Sequence, residues 1–331
     1  MLCNPEELSM PNAAFANVLD RRRFLVATGA ATLAACSRPA KQPATLLVGD
    51  QRGGQQAVLE AIHALDNLPY RLTWAEFPNA APVLEAVNVG AIDTGYGGDA
   101  AFIFAIGSGA GVKAIGALRV AGTGPVLVVR NDSPVHDISQ IGKLHIATPR
   151  GSVSHNYILA ALERRGLPLD TVTFAFLSPQ DGEAALRGGS VDGWAIWDPN
   201  AALAVRQGGV RIVTGGEGLV PSYAFLFAGD GAIAAKRPLL VDYQARLYRG
   251  WAWAADHGDA YAEVMAKQTG LDTALWREVL ARRHSVPAPI DAQLIADQQA
   301  TADRYRRAGL IDRRIDVAPA FDATFSVNSK V

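Results

Sequence analysis

From Thr45 onward, short apolar runs alternate with stretches whose apolar positions recur every three or four residues. Residues 45–49 predict a strand. The segment 55–64, with Val58, Leu59, Ile62 and Leu65 at helical spacing, predicts a helix. Strands over 70–74 and 92–96 follow, with a helix around 83–87 between them that ends near Gly90. A helix over 101–106, capped by Asp99 and ended by Gly107, leads to a fourth strand over 112–120. Gly122-Thr123-Gly124-Pro125 breaks the rhythm. A second unit then repeats it, with strands over 126–129, 144–147, 172–177, 191–197 and 210–213. Its helices are a short one at 138–141, one starting at Ser152 or Ser154, and two over 183–186 and 200–207. Residues 223–228 predict a strand returning to the first unit, and long amphipathic helices follow at 239–255, 274–283 and 292–308.

Strands alternating with helices imply an α/β protein with mainly parallel sheets covered on both faces. Two such units joined by two crossings make two lobes with a cleft between them and a helical C-terminal region. The bounds are 45–122 for the first part of lobe 1, 123–222 for lobe 2, and 223–331 for the return to lobe 1 and the C-terminal helices. In such sheets ligands bind beyond the carboxyl ends of the strands.

The N-terminal residues carry a different pattern. Arg21-Arg22-Arg23-Phe24-Leu25 precedes an apolar run of small residues too short for a bilayer, which takes roughly 20. The pattern is that of a signal peptide over 1–35, and Arg21 and Arg22 resemble the twin-arginine export signal. Leu33-Ala34-Ala35-Cys36 resembles a bacterial lipobox, in which Cys36 is lipidated and becomes the new N-terminus; ordinary cleavage among the alanines is the other reading. Residues 36–44 read as a flexible tether. The expected location is therefore the periplasm, anchored to the membrane by lipid. The second cysteine, Cys3, would leave with the signal, so no thiol remains for a disulfide, a nucleophile or a metal. With 32 acidic and 31 basic residues the chain is near neutral, which argues against nucleic acid as a partner and makes any anion chemistry local.

Four loops would face the cleft: 50–54, 97–100, 149–155 and 194–198. In three of them a strand ends in glycine and a polar residue, and a helix begins. The glycine admits a ligand to the backbone, and the helix start offers unpaired N–H groups to an anion. Arg52 and Arg150 are the charge candidates, rather than Arg119 inside a strand. Ser152, Ser154 and His155 add donors at the third loop, and Thr123 and Tyr223 flank the crossings. The fourth loop brings Trp197, suited to an organic tail, and Asp198; Trp194 is read either as core or as sharing a face with Trp197. Asp99 and Asp198 fit capping or lobe-locking better than acid catalysis. No metal site is expected.

These residues carry a resemblance. Gln51-Arg52-Gly53-Gly54, Trp74-x-Glu76-Phe77-Pro78, Leu84-Glu85-Ala86-Val87 and Ile92-Asp93 before Gly98-Asp99-Ala100 match in order. So do Gly151-Ser152-x-x-His155, the run Gly189 to Pro199, and Gln298-Gln299-x-x-Ala302-Asp303. Between Leu46 and Asp316 the chain resembles the aliphatic sulfonate-binding proteins, receptors of sulfonate ABC importers. Their wider family includes taurine, nitrate and thiamine-precursor receptors. The resemblance implies a type II periplasmic-binding-protein fold, with Gln51, Gly98, Asp99, Ser152, His155 and Trp197 lining or shaping the cleft. Tyr96-Gly97 and Ala100-Ala101 depart from the family's more usual Thr and Pro.

The implied function is capture of aliphatic or aryl sulfonates for sulfur acquisition and delivery to a membrane permease with its ATPase. The protein would act as a monomer, with no cofactor and no chemistry of its own. Receptors for taurine, nitrate, another small oxyanion or a sulfate ester are the alternatives. A sulfinate desulfinase needs a cysteine nucleophile, which this chain lacks after export. A thiamine-precursor synthase needs a lysine in a pyridoxal phosphate motif, and neither Lys113 nor Lys143 sits in one.

Overall fold

The structure, a computed structural model, describes residues 43–51, 53–213 and 218–325. The signal segment with Arg21, Arg22 and Cys36, most of the tether, and Arg52 lie outside the described residues. The chain divides after Pro43, and Ala44–Val331 is one compact unit built on two sheets.

The first sheet begins with parallel strands β1 (Thr45–Gln51), β2 (Arg71–Phe77) and β3 (Thr94–Gly98). Helices α1 (Gln55–Ala61), α2 (Ala80–Asn88) and α3 (Asp99–Gly107) connect them and lead onward. β4 (Val112–Gly122) runs to the crossing, and β10 (Tyr223–Gly229) returns the chain between β3 and β4, antiparallel to both. β11 (Arg283–Ala288) closes the edge, so the order is β11-β4-β10-β3-β1-β2. The second sheet, β7-β6-β8-β5-β9, comprises β5 (Val126–Arg130), β6 (His145–Thr148), β7 (Thr173–Phe176), β8 (Gly193–Ile196) and β9 (Val210–Ile212). Its helices are α4 (Val153–Arg164), α5 (Pro179–Arg187) and α6 (Asn200–Arg206).

Both sheets are mixed rather than mainly parallel, because each lobe receives a strand from the other side of a crossing. That strand enters against the direction of its neighbours.

Side-chain alternation explains how each sheet separates two cores. On β10, Phe225 and Phe227 face the layer with Phe102 and Val83, whereas Leu226 and Ala228 face the layer with Val58 and Tyr243. On β8, Ala195 faces Ile146 and Tyr157, and Trp194 and Ile196 face Leu186 and Ala204. Each such buried phenylalanine or tryptophan contributes on the order of 2–3 kcal/mol of transfer free energy.

The C-terminal helices are α7 (Asp230–Asp256), α8 (Gly258–Thr269), α9 (Thr273–Arg282) and α10 (Ala292–Arg307). α7 kinks at Lys236, two residues before Pro238, whose missing N–H cannot continue the ladder. There Lys236 Nζ meets the Asp93 carboxylate at 2.7 Å, and Asp93 also accepts the Leu47 N–H. β11 has no counterpart in the sequence expectation, and α8 falls only within its general helical C-terminal region. β11 contains Pro287 and carries a histidine and an arginine, which a sheet accepts only at its edge. Among the described residues no helix is long and apolar enough to cross a membrane.

Gly122 ends β4 at φ 91°, and a side chain there would collide with the Arg282 carbonyl. The same carbonyl accepts the Thr123 N–H at 2.9 Å, so the crossing is tied to the end of α9.

Candidate functional site

Between the lobes lies a cavity of about 310 Å³, near the lower end of the roughly 300–1,000 Å³ typical of small-molecule sites. Three helix starts reach it: α2 at Asn79–Ala81, α3 at Gly98 and Ala101, and α4 at Ser152 and Val153.

The α4 start resolves the choice between Ser152 and Ser154. Ser152 is the N-cap, its Oγ accepting the His155 N–H at 3.2 Å, and its carbonyl takes the N–H of Asn156. By the count of a helix start, the N–H groups of Val153 and Ser154 are left at the mouth. Gly151 precedes the cap at φ 68°, and a Cβ there would lie 2.6 Å from Phe104 of α3. Only glycine permits this approach of the two lobes. Tyr305 of α10 donates its hydroxyl to the Gly151 and Ser152 carbonyls, holding the loop from behind.

His155 does not face this cavity. Its ring is buried among Phe174, Phe176 and Tyr305, and Nδ1 accepts the Gly151 N–H at 3.2 Å. Burial, and then the positive charge of Arg150, lower its pKa to about 4, so it is neutral at physiological pH. Ser154 is fully buried, and its hydroxyl has no hydrogen-bond partner. Arg150 is exposed, lines the cavity, and lies over the Phe176 and Phe104 rings at 5.4 and 5.9 Å.

In lobe 1 the loop after β1 differs from expectation. The buried Asp50 carboxylate accepts the N–H groups of Gln55 and Gln56, each at 2.8 Å, so the donors of α1 are already occupied. Gln51 lines the cavity and donates Nε2 to the Tyr96 carbonyl. Gly98, the N-cap of α3, also lines it. Asp99 is turned away and 2% exposed, accepting N–H groups from Tyr223 and Gln298. Its carboxylate joins the α3 start to β10 and α10, and burial raises its pKa to about 6. Gln298 of the Gln298-Gln299 pair thus holds Asp99.

Trp194 belongs to the lobe 2 core, while Trp197, past the end of β8, lines the cavity. Trp197 also packs partly against the apolar cluster that holds Trp194, and the Asp198–Pro199 peptide that follows it is cis. Asp198 locks elements together: one oxygen accepts the Ala202 N–H, and the other meets Arg282 of α9 at 2.9 Å. Tyr223 lines the cavity and donates its hydroxyl to Asp297. Thr123 lines a separate hollow at the crossing.

The cavity thus gathers Gln51, Gly98, Arg150, Ser152, Trp197, Asp198 and Tyr223 from the sequence candidates, and leaves out Asp99, Thr123, Ser154 and His155. Sequence reasoning missed Asn79, whose side chain caps α2 by accepting the Ala81 N–H, although an asparagine before a helical run is a recognisable start signal. It also missed a wall of Trp251, Tyr261, Met265 and Trp276 from α7, α8 and α9. No local signal distinguishes those side chains from ordinary core residues. Among the described residues no cluster of histidine, cysteine or carboxylate side chains could hold a metal.

Two α/β lobes joined by paired crossings, with helix starts turned into the cavity between them, define the type II periplasmic-binding-protein fold. No family model matches the chain. It is 32% identical over 279 residues to a putative aliphatic sulfonates-binding protein of Escherichia coli, covering 83% of this chain and 88% of that protein. The chain belongs to the family of aliphatic sulfonate-binding proteins. Its structure is similar to that of the alkanesulfonate-binding protein SsuA from Xanthomonas axonopodis pv. citri bound to MOPS. The TM-score is 0.78 at 32% identity, over 86% of this chain and 99% of that one. The periplasmic aliphatic sulphonate binding protein SsuA from Escherichia coli gives a TM-score of 0.75 at 30% identity, over 84% and 97%. The desulfurization enzyme DszB shares the fold alone, at 16% identity and a TM-score of 0.60.

Proposed function

We propose that this chain is the solute-binding component of an ABC importer and captures organosulfonates for sulfur acquisition. The observation that carries this reading is the convergence of the α2, α3 and α4 starts on one small cavity whose lining also includes the aromatic side chains of Trp197, Trp251, Tyr261 and Trp276. A sulfonate stays anionic at neutral pH, so its head needs donors and no proton acceptor. Helix N–H groups and Ser152 meet that need, with the positive ends of the helix dipoles behind them. Gln51, Gly98, Arg150, Ser152, Trp197 and Tyr223 form the ligand-facing set; Asp99, His155 and Asp198 hold its frame. The receptor works outside the cytoplasm as a monomer, tethered through a lipid on Cys36, and hands its ligand to a permease and its ATPase. Its relatives at 30–32% identity are binding proteins, and both cysteines of the chain, Cys3 and Cys36, precede the lobes, leaving the cleft without a thiol nucleophile.

The test is a thermal-shift screen of alkyl and aryl sulfonates, sulfate esters, taurine, nitrate and sulfate. A ligand at about 100 times its Kd stabilises the folded state by about 2.7 kcal/mol, enough to raise Tm by several degrees. Sulfonates are expected to give the largest shifts. Shifts confined to nitrate or sulfate would transfer the protein to another oxyanion.

A further inference from the structure

We propose that the cleft selects sulfonates whose tail is uncharged and aromatic, and that the tail seats against Trp251, Tyr261, Met265 and Trp276 with Tyr96 beside them. This rests on the sulfonate reading and narrows its substrate class. The aromatic wall belongs to the same small cavity as the three helix starts, so the tail of a sulfonate held at those starts shares the cavity with the wall.

The wall is rigid. Tyr96 and Trp251 stack at 5.8 Å and 26°, and Tyr261 meets Trp251 edge-on at 6.2 Å and 82°. The Trp276 indole N–H is pinned to the Thr269 hydroxyl at 2.9 Å, and Tyr261, Met265, Trp276 and Trp251 are each less than a tenth exposed. Side chains held this way offer fixed faces and edges, to which an aromatic ring docks with little ordering cost. The Met265 thioether is a further favourable neighbour for a ring. A flexible alkyl chain of equal carbon count must freeze several rotors to occupy the same space.

Charge removes the zwitterions. The charged side chains facing the cavity are Arg150, Arg283 and Asp198. The Asp198 carboxylate is already engaged by Arg282 and the Ala202 N–H. A tail ammonium would find no free carboxylate among the described lining residues. Arg283, with a guanidinium nitrogen 3.4 Å from the Asp198 carbonyl, would oppose whatever attraction the indole faces supply.

The experiment is calorimetric titration of the intact chain with benzenesulfonate, hexanesulfonate, methanesulfonate and taurine, repeated on Trp251→Leu and Ala255→Leu. Ala255 is half-buried and lines the cavity, so a leucine there narrows the tail space while suiting a helix, and this variant covers the case in which Trp251→Leu fails to fold. Benzenesulfonate is expected to bind about tenfold or more tighter than methanesulfonate and taurine, and tighter than hexanesulfonate. Both variants are expected to weaken benzenesulfonate about tenfold while changing methanesulfonate less than about threefold. Taurine or hexanesulfonate matching benzenesulfonate overturns the proposal, as does an equal loss for every ligand in the folded variants. Failure of all four sulfonates, with another oxyanion still bound, removes the sulfonate reading itself and this inference with it.

Discussion

The imidazole of His155 sits beneath the Gly151 backbone with its Nδ1 unprotonated, because that atom accepts the Gly151 N–H. The ring's other nitrogen therefore carries the proton. A folded-state pKa of about 4 against an unfolded value of 6.5 means that the unfolded chain takes up the proton first. His155's contribution is fully present above pH 6.5 and is lost as pH falls toward 4, roughly 3 kcal/mol in all. Asp99 runs the other way. Burial raises its pKa from 3.8 to about 6, so the folded state binds that proton first and gains stability over nearly the same fall in pH. The two effects oppose each other, and the intact protein is expected to show a shallow stability profile there. In Asp99→Asn the Asp99 contribution is gone, and stability should fall more steeply from about pH 6.5 to 4. Urea unfolding at several pH values checks this, and parallel profiles for the two proteins would contradict it. A helix starting at Ser152 or Ser154 was legible from sequence context, but the choice of Ser152 was not, and neither was the neutrality of His155, which depends on Phe174, Phe176 and Arg150 closing around the ring.

Between elements, the ion pair of Asp198 and Arg282 joins the end of β8 and the α6 start to α9. Asp198 is nearly buried, with its side chain 5% exposed, while that of Arg282 is 32% exposed. Removing Arg282 leaves a carboxylate that only the Ala202 N–H then satisfies. Partial exposure of the arginine limits the Coulomb term, so Arg282→Ala is expected to cost about 1–3 kcal/mol rather than the 3–5 of a fully buried broken pair. Chemical denaturation measures it, and a double-mutant cycle with Asp198→Asn should recover a large part of the loss. Strand and helix order was legible because period-2 and period-3.6 patterns are local. Where elements were missed, local signals were weak: β11 is short, partly polar and interrupted by Pro287. α8 was absorbed into a general expectation of C-terminal helices, although Gly270 ends it in the left-handed conformation at φ 72° that marks a helix stop.

For the whole molecule, the proposed export and lipid tether rest on the N-terminal segment, which lies outside the described residues. If Cys36 carries the lipid, the binding unit from Ala44 onward hangs from it on a short proline-bearing segment. Cys36→Ser is expected to move the protein from the membrane fraction to the soluble one while leaving sulfonate affinity unchanged. Fractionation and calorimetry on the same preparation check both halves, and retention in membranes would exclude the lipid anchor. The lobes themselves meet where Gly151 packs on Phe104, and α4 is tied to α10 through Asn156 and Glu163 to Arg304. The C-terminal helices therefore serve both lobes and do more than trail the fold.

By itself the sequence determined the order of the strands and helices other than α8 and β11, the break at 122–125, a helix start near Asp99, and another at Ser152 or Ser154. Each of these follows from periodicity and capping within a few residues. Only the tertiary structure decided that Asp50 already occupies the donors of α1, that His155 and Asp99 face away from the ligand space, and that the helix start at Asn79 reaches the same cavity. It alone brought Trp251, Tyr261, Met265 and Trp276 into the lining of the same cavity as Gln51 and Gly98. The physical reason is distance along the chain. The cavity lining joins Gln51 and Gly98 to Trp251 and Trp276, more than a hundred residues away, and even the nearer contacts of His155 with Phe174 and Phe176 depend on how separate elements pack, which no local pattern encodes.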